Sequence, residues 1–296
     1  MSGNGVALLA SAVTLLTGMV WGVYWLPVRA LGEMGLAGAW GTLAIALAAA
    51  GALMPFAAAD RRSLLAADGL ALASTALGGA AFALYSVGFL YGRVAIVILL
   101  WFLSPVWSTL IGRYLMGWPT PRTRYAAIVV GVLGLALMLG AGWQVPVPHG
   151  LGEWMSLAGG VLWSFSTTGI RAKSDLRPSA AAFIFAAGAA VTMLALAPPL
   201  GPWPKLAAGD AAKLAGLALA TGAIWWGVSI VGLMWAVPRL DPARVAILLM
   251  SEVLVGTLSA VLLANERLSL AEMLGGALVL CSGALEIWPT RPKDDG

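Results

Sequence analysis

The group with the clearest capacity for chemistry is the carboxyl of Glu252, which lies within the apolar run from Ala243 to Ala264. A charge at the centre of a bilayer costs about 2.5 to 3.5 kcal/mol on insertion scales. Glu252 is therefore protonated, paired with another group or in contact with water. Two roles stay open for it: a group that carries a proton or binds a substrate ammonium, and a protonated side chain that hydrogen-bonds a neighbouring helix.

A second candidate element is the run from Arg93 to Met116, which is long enough to cross a bilayer. Trp101, Ser104 and Ser108 are spaced i, i+3 and i+7, so one face of this helix carries an indole and two hydroxyls. Pro105 has no N–H for the carbonyl of Trp101, which predicts a hinge and an open carbonyl beside the indole. That pair could hold a substrate ammonium and an aromatic group; a packing kink is the alternative.

The sequence has 14 tryptophans, and those near the ends of apolar runs fit the aromatic belt at membrane surfaces. Six lie in the middle of such runs: Trp21, Trp101, Trp107, Trp163, Trp225 and Trp226. A buried indole N–H needs a hydrogen-bond partner. These positions therefore favour a central cavity, with Trp21, Trp101 and Trp163 as its walls.

Aromatic and hydroxyl side chains at helical spacing extend the candidate site into other apolar runs. Serines also ease close helix packing, so each hydroxyl taken alone has a structural explanation. A substrate with an aromatic group and polar groups would need this mixture of π-faces and donors. The predicted substrate-binding residues are Trp21, Phe82, Tyr85, Trp101, Ser104, Trp163, Ser229 and Ser251, with Glu252 for proton coupling or ammonium binding and Pro105 as the hinge.

The composition excludes an ordinary soluble domain, because 60% of residues are hydrophobic, only 10% are charged and the mean hydropathy is +0.91. The apolar runs have helical lengths and not the alternating pattern of a membrane β-barrel, so the sequence predicts an all-α integral membrane protein. Cys281 is the single cysteine, which excludes an intramolecular disulfide and a thiolate metal cluster. We expect no cofactor, no metal and no nucleic-acid partner.

Ten transmembrane helices are predicted, joined by short connections. With the N-terminus in the cytoplasm, twelve of the 17 Lys and Arg residues fall in inner segments and five in outer ones, which predicts that both termini are cytoplasmic. The predicted spans are Val6 to Leu26, Leu36 to Ala58, Gly69 to Tyr91, Val94 to Met116, Tyr125 to Gly142, Leu151 to Arg171, Ala180 to Ala197, Leu214 to Val237, Ala243 to Ala264 and Ser269 to Trp288.

Internal repeats organise these spans. The segment Trp21 to Ala30 matches Trp163 to Ala172 at a displacement of 142, and Gly78 matches Gly222 at 144. Arg93-Val94-Ala95-Ile96 recurs as Arg244-Val245-Ala246-Ile247 at 151, and Ser104-Pro105-Val106 best faces Glu252-Val253-Leu254 at 148. Such self-similarity predicts a duplicated architecture.

The repeats predict two five-helix halves. Because five is odd, the second half enters the membrane from the opposite side, which gives inverted repeats around a midplane site, as in alternating-access transporters. The predicted units are residues 1–142 for the first repeat, 143–150 for an outer linker, 151–288 for the second repeat and 289–296 for a cytoplasmic tail.

Several short motifs occur in a recognisable order: Trp21-Gly22, Ser104-Pro105-Val106, Asn265-Glu266-Arg267-Leu268-Ser269, and Gly275-Gly276 with Gly283. With the repeat, their order and spacing resemble the drug/metabolite transporter (DMT) superfamily in its ten-helix EamA form. The mid-span aromatics are most similar to those of YddG-type exporters of aromatic amino acids. The resemblance implies a multi-pass protein of the bacterial inner membrane that exports aromatic and other neutral amino acids by alternating access.

The sequence departs from this pattern at two places. Gly117-Trp118-Pro119 stands where the first half often has Gly-Glu-Arg, and Val253 stands where the second half often has a proline. The sequence therefore predicts a proline kink in one half only.

Other functions stay open at this point. The expected partners are an amino-acid substrate and the lipid bilayer, and the oligomeric state is left open, a monomer being compatible with the sequence. A nucleobase, an amine or a drug-like cation is the alternative cargo, and a non-transporting membrane scaffold is a further alternative. Paired acids, a histidine cluster or a nucleophile with its base are not evident in the sequence, which disfavours an enzyme.

Overall fold

The computed structural model describes residues 3–117, 122–140, 147–173, 176–204, 209–236, 239–240, 245 and 248–286. Across these residues the chain is helical and contains no strand, so the predicted all-α fold is confirmed. Some predictions fall outside the described residues: residues 143–146 of the linker 143–150, the tail 289–296, Trp118 and Pro119, and most of the repeat segment 244–247.

The helices of the described residues are α1 (Gly3–Gly22), α2 (Trp25–Glu33), α3 (Trp40–Ala59), α4 (Arg61–Ala66), α5 (Gly69–Tyr91), α6 (Val94–Trp101), α7 (Ser104–Tyr114), α8 (Arg122–Leu139), α9 (Leu151–Lys173), α10 (Pro178–Leu200), α11 (Ala211–Thr221), a π-helical segment (Gly222–Val228), α12 (Ser229–Ala236), α13 (Ser251–Leu263) and α14 (Leu270–Glu286).

Six helical stretches of the described residues are long and apolar enough to cross a membrane. Each consists of one long helix or of consecutive helices, such as α1 with α2 and α6 with α7. Shorter apolar helices occur within α8, α13 and α14. These lengths and compositions are those of a multi-pass membrane protein.

One of these stretches is broken in its middle. α6 ends at Trp101, a two-residue turn follows, and α7 begins at Ser104. Pro105 is the second residue of α7, where the missing N–H costs no intrahelical hydrogen bond. The predicted proline kink is therefore a helix break, and Pro105 lies in the first turn of the new helix.

The same kind of break precedes α13. The carbonyl of Leu103 accepts the N–H of Val106 at 2.9 Å, and the carbonyl of Met250 accepts the N–H of Val253 at 3.1 Å. The prediction of a kink in one half only is corrected by this second turn. α7 and α13 begin at Ser104 and at the next residue after Met250, so Pro105 corresponds to Glu252 at a displacement of 147 instead of 148.

Close packing against α1 explains how a break forms without proline. A Cβ on Gly22 would lie 2.8 Å from the carbonyl oxygen of Glu252, so only a glycine lets the two backbones approach this closely. Farther along α1, the Ser251 hydroxyl donates to the carbonyl of Leu15 at 3.1 Å. Tertiary contacts therefore fix the turn before α13.

The helices form a bundle with paired contacts. α5 packs on α9 and α10, α10 packs also on α3, and α8 packs on α14. α1 contacts α12 and α13, both α6 and α7 contact α9, and α6 contacts α13. Glycines allow the closest approach: a Cβ on Gly134 would lie 2.7 Å from the carbonyl oxygen of Gly275, and the reverse distance is 2.6 Å.

One end of the bundle, here called the Glu266 end, is closed by buried ionic groups. Arg29 at the end of the first stretch donates to the carbonyls of Phe89 and Gly92 at 2.9 and 3.1 Å. The same guanidinium lies 3.7 Å from the carboxylate of Glu266. α2 is thus tied both to the turn between α5 and α6 and to the segment before α14.

Glu266 also caps α6. Its two carboxylate oxygens accept the backbone N–H groups of Val94 and Ala95 at 2.6 and 3.1 Å. Arg93 forms an ion pair with Glu272 and donates to the carbonyl of Arg267 at 2.6 Å. The first turn of α6 is therefore held to the segment between α13 and α14 by charged groups.

The opposite end, here called the Pro178 end, carries exposed ion pairs. Arg177 donates to the carboxylate of Asp60 at 2.7 Å, and Lys173 lies 3.1 Å from that of Asp68. A hydrogen bond from the Ser179 hydroxyl, together with Arg177, holds the pKa of Asp60 below its ordinary value. These pairs join the α3–α5 region to α9 and α10 at the protein surface.

Candidate functional site

A cavity of about 600 Å³ lies where the helix breaks meet. It extends to Leu176 and Pro178, and because Pro178 is exposed the cavity reaches the surface at the Pro178 end. Its volume is in the range of small-molecule sites. Of the residues predicted from sequence, those that line it are Trp21, Phe82, Trp101, Ser104, Pro105, Trp163 and Glu252.

The elements of the bundle bring these side chains together from distant parts of the chain. Trp21 comes from the end of α1, Phe82 from the middle of α5 and Trp163 from the middle of α9. Trp101 is the last residue of α6, and Glu252 lies in the first turn of α13. Each break thus presents a helix end to the cavity, where a continuous helix would present only side chains.

Phe82 is the centre of the aromatic wall. Its ring lies 4.4 Å from that of Trp21, 5.1 Å from that of Trp226 and 6.0 Å from that of Trp101, centroid to centroid, all in edge-to-face geometry. Trp163 continues the wall at 5.4 Å from Trp101. These spacings are those of favourable aromatic pairs, so the wall is a packed unit.

Glu252 is the acidic group of the cavity. It is 7% exposed, and one of its carboxylate oxygens accepts the hydroxyl of Tyr85 at 2.9 Å. The Tyr85 ring stacks on Trp101 at 4.7 Å with 24° between the planes. Tyr85 itself is fully buried and does not line the cavity. It lies behind the wall, where it joins the carboxyl to the indole.

The position of Glu252 offsets the cost of its charge. The N-terminal turn of a helix stabilises a negative charge by about 0.3 to 1 kcal/mol, and by up to about 2 kcal/mol in partly buried geometries. A hydrogen bond to a charged group adds about 1.5 to 3 kcal/mol. Together these terms match the roughly 2.5 to 3.5 kcal/mol that a charge costs at this depth. The break before α13 and the Tyr85 hydroxyl therefore lower the cost of ionising Glu252.

Two predicted serines hold α1 and do not line the cavity. The indole N–H of Trp21 donates to the Ser229 hydroxyl at 2.8 Å, and Ser229 in turn donates to the carbonyl of Trp225. Ser251 donates to α1 at Leu15, as described above. Their role is to orient Trp21 and to anchor the helix that carries it.

The carbonyl of Trp101 faces a helix interface. A Cβ on Gly160 of α9 would lie 3.3 Å from this oxygen, so α9 packs directly against it. Ser104 and Pro105 line the cavity one turn later, and the carbonyl of Ser104 accepts the Ser164 hydroxyl at 2.8 Å. The carbonyl of Trp101, predicted to be open, is therefore packed against α9, and Glu252 is the acidic group that lines the cavity.

Sequence reasoning missed Phe185 and Tyr24 and did not select Trp226 as a wall residue. Phe185 lines the cavity at 5.6 Å from the Trp226 ring. Trp226 is fully buried in the π-helical segment, and its indole N–H donates to the hydroxyl of Tyr24 at 3.1 Å. The repeat carried a signal for it, because the displacement of 144 found for the glycines places Trp226 opposite Phe82.

The cavity is poor in charge. Among its described lining residues there is no Lys, Arg or His, and Glu252 is the only acid. Across the described part of the chain no group of three or more His, Cys, Asp or Glu side chains is placed to hold a metal ion. The arrangement can accept a proton or a cation at one carboxyl and bind an aromatic group beside it.

Comparisons with known proteins show the fold. No family model matches the chain, and no curated protein matches it. A solved structure described only as "Crystal structure of protein" superposes with a TM-score of 0.61 at 19% identity, over 94% of this chain and 96% of the other. At that identity the likeness extends to the fold and not to the function.

Proposed function

We propose that this chain is a secondary transporter of the bacterial inner membrane that exports aromatic and other neutral amino acids by alternating access. The observation that carries the proposal is the cavity at the helix breaks, walled by Trp21, Phe82, Trp101 and Trp163 with Glu252 beside them. An aromatic side chain fits the wall, and the α-ammonium finds the carboxyl group.

The proposal includes a ten-helix architecture of two inverted five-helix repeats, which the helix contacts support. If α1 with α2 is the first span and α9 the sixth, then α6 with α7 is the fourth and α13 the ninth. The first span then contacts the ninth, and the repeat-related pair, the sixth and the fourth, is also in contact. In the same way the third span contacts the sixth, and the eighth contacts the first. Such pairing is expected of a pseudo-two-fold axis through a midplane site.

The orientation proposed from Lys and Arg places both termini in the cytoplasm and the Pro178 end on the cytoplasmic side. The cavity, which reaches the surface at that end, is then accessible from the cytoplasm and closed towards the outside at the Glu266 end. That is the loading state of an exporter. Alternating access requires a second state in which the Glu266 end opens.

Transport measurements in proteoliposomes test the proposal. The purified full chain is reconstituted, and the movement of labelled phenylalanine is followed with and without a pH gradient. Trp101→Ala is expected to reduce the rate by about tenfold, because it removes a wall of the site. Trp107→Ala is the control, since Trp107 is a half-buried tryptophan of the same span that does not line the cavity. If the reconstituted protein moves no neutral amino acid, the proposal is contradicted.

A further inference from the structure

We infer that the site recognises its substrate by the ammonium group and not by the carboxylate, so that aromatic primary amines and carboxyl-blocked amino acids bind more tightly than the amino acids themselves. The inference rests on the proposed function, because it concerns the same cavity. It goes beyond that function by defining the charge class of the substrate.

The charges around the cavity point to a cation. Glu252 is the only ionisable group among the described lining residues. The nearest arginines of the Glu266 end are already engaged, Arg29 with Glu266 and two carbonyls, and Arg93 with Glu272. Among the described lining residues there is therefore no basic group for a substrate carboxylate.

Glu252 has a free position for an ammonium. One carboxylate oxygen accepts Tyr85, while the other receives no hydrogen bond from the described residues. The indoles of Trp21, Trp101 and Trp163 line the same cavity, and an indole ring attracts a cation. A primary ammonium has three donors, which suits one carboxylate oxygen and neighbouring hydroxyls such as that of Ser104.

The cavity offers fewer favourable contacts to a substrate carboxylate than to a substrate ammonium. The start of α7 offers the Ser104 hydroxyl and the partial positive charge of a helix end, but Pro105 contributes no N–H. A second carboxylate inside the cavity would also be repelled by Glu252. The carboxylate of a bound amino acid is therefore expected towards the mouth at Pro178, where the basic groups Lys173 and Arg177 are already paired with Asp68 and Asp60.

Four matched ligands test the inference: phenylalanine, phenylalanine amide, phenethylamine and 3-phenylpropionate. Their binding to the reconstituted full chain is measured by isothermal titration, and their effect on labelled phenylalanine movement by competition. The amide and the amine are expected to bind about tenfold more tightly than phenylalanine, and 3-phenylpropionate is expected not to compete.

The variant Glu252→Gln tests whether the charge of Glu252 causes the preference for the amide and the amine. It keeps the size of the side chain and removes its charge, so the advantage of the amide and amine over phenylalanine is expected to vanish. Trp107→Ala retains that advantage, and an unchanged melting temperature shows that the variants are folded. Transport of phenylalanine with binding as tight as that of the amide overturns the inference and leaves the proposed function standing. Failure of all four ligands to bind or move overturns both.

Discussion

The two ends of the bundle use the same kinds of residue for different purposes. At the Glu266 end the carboxylates of Glu266 and Glu272 are only 9% and 10% exposed, and one of them accepts two backbone N–H groups. Their basic partners Arg29 and Arg93 are 28% and 38% exposed, whereas Lys173 and Arg177 at the Pro178 end are 60% and 70% exposed. Exposed ion pairs contribute about 0 to 1 kcal/mol, whereas a hydrogen bond to a charged group contributes about 1.5 to 3 kcal/mol.

This difference in exposure indicates which end of the bundle is closed. The ion pairs of the Pro178 end border the open mouth of the cavity and contribute little to stability. The groups of the Glu266 end close the bundle beyond the aromatic wall, and their burial makes them costly to separate. Any motion that opens the Glu266 end must break the ion pairs and hydrogen bonds of Glu266 and Glu272.

Glu266→Gln is expected to have the largest effect on this comparison. The amide offers one acceptor where Val94 and Ala95 present two N–H groups, and it loses the attraction to Arg29. Each charge-assisted hydrogen bond lost costs about 1.5 to 3 kcal/mol. Thermal unfolding in detergent is expected to show a lower midpoint. Asp68→Asn is the matched carboxylate-to-amide control at the other end, and an equal shift in both variants would show that the two ends do not differ.

Tyr85→Phe tests the hydrogen bond between the Tyr85 hydroxyl and the Glu252 carboxylate, behind the cavity wall. The substitution keeps the ring on Trp101 and removes the hydroxyl from Glu252, so the carboxylate loses its donor. The affinity for phenylalanine amide is expected to fall by about fivefold to tenfold in titration. Tyr91→Phe is the control, because the Tyr91 hydroxyl donates to the carbonyl of Leu200, away from the cavity. Equal affinities of the two variants would contradict a positioning role for Tyr85.

Pro105→Ala tests whether the two ends move separately. α6 is fixed by Glu266 at one end, and α7 runs from the break in the other direction. Alanine restores an N–H and favours one continuous helix, which would couple the ends. The rate of phenylalanine movement is expected to fall severalfold while the affinity stays within about twofold. Pro55→Ala in α3 is the control, since Pro55 is exposed inside a helix far from the break; a comparable loss of rate there would remove the hinge role.

Asp60→Asn is expected to have the smallest effect. The pKa of Asp60 is held below its ordinary value by Ser179 and Arg177, so its ionised form stabilises the folded state at neutral pH. This contribution is present above the unfolded pKa of about 3.9 and is lost as the pH falls through the lower folded value. Melting midpoints of the wild type and the variant are therefore expected to differ slightly at pH 7 and to converge in acid. A difference that grows in acid would contradict this assignment.

Much of the architecture could be predicted from sequence because it depends on local signals. Lengths of apolar runs predicted the helices, and the mid-span position of Trp21, Trp101 and Trp163 pointed to side chains that the fold brings to one cavity. Glu252 stood out because a carboxyl group in an apolar run has few inexpensive environments.

The remainder depends on tertiary contacts that no local pattern contains. The break before α13 requires the backbone of α1 at Gly22, which is distant in sequence. The contact of Tyr85 with Glu252 spans 167 positions. The π-helical segment that places Trp226 contains no proline, and its glycines at positions 222 and 227 do not distinguish a π-helical from an α-helical register.

The rings around Phe82 also determine the entropy of binding. Six aromatic side chains contact this one ring: Trp21, Tyr24, Tyr85, Trp101, Phe185 and Trp226. Each has only two side-chain torsions, and those torsions are already fixed by the neighbours before a ligand arrives. A ligand that fits therefore orders little of the protein, and its affinity is reduced by few conformational losses on the protein side. Because neighbouring rings hold the wall in place, the wall is not expected to rearrange for a ligand ring that is too large for it.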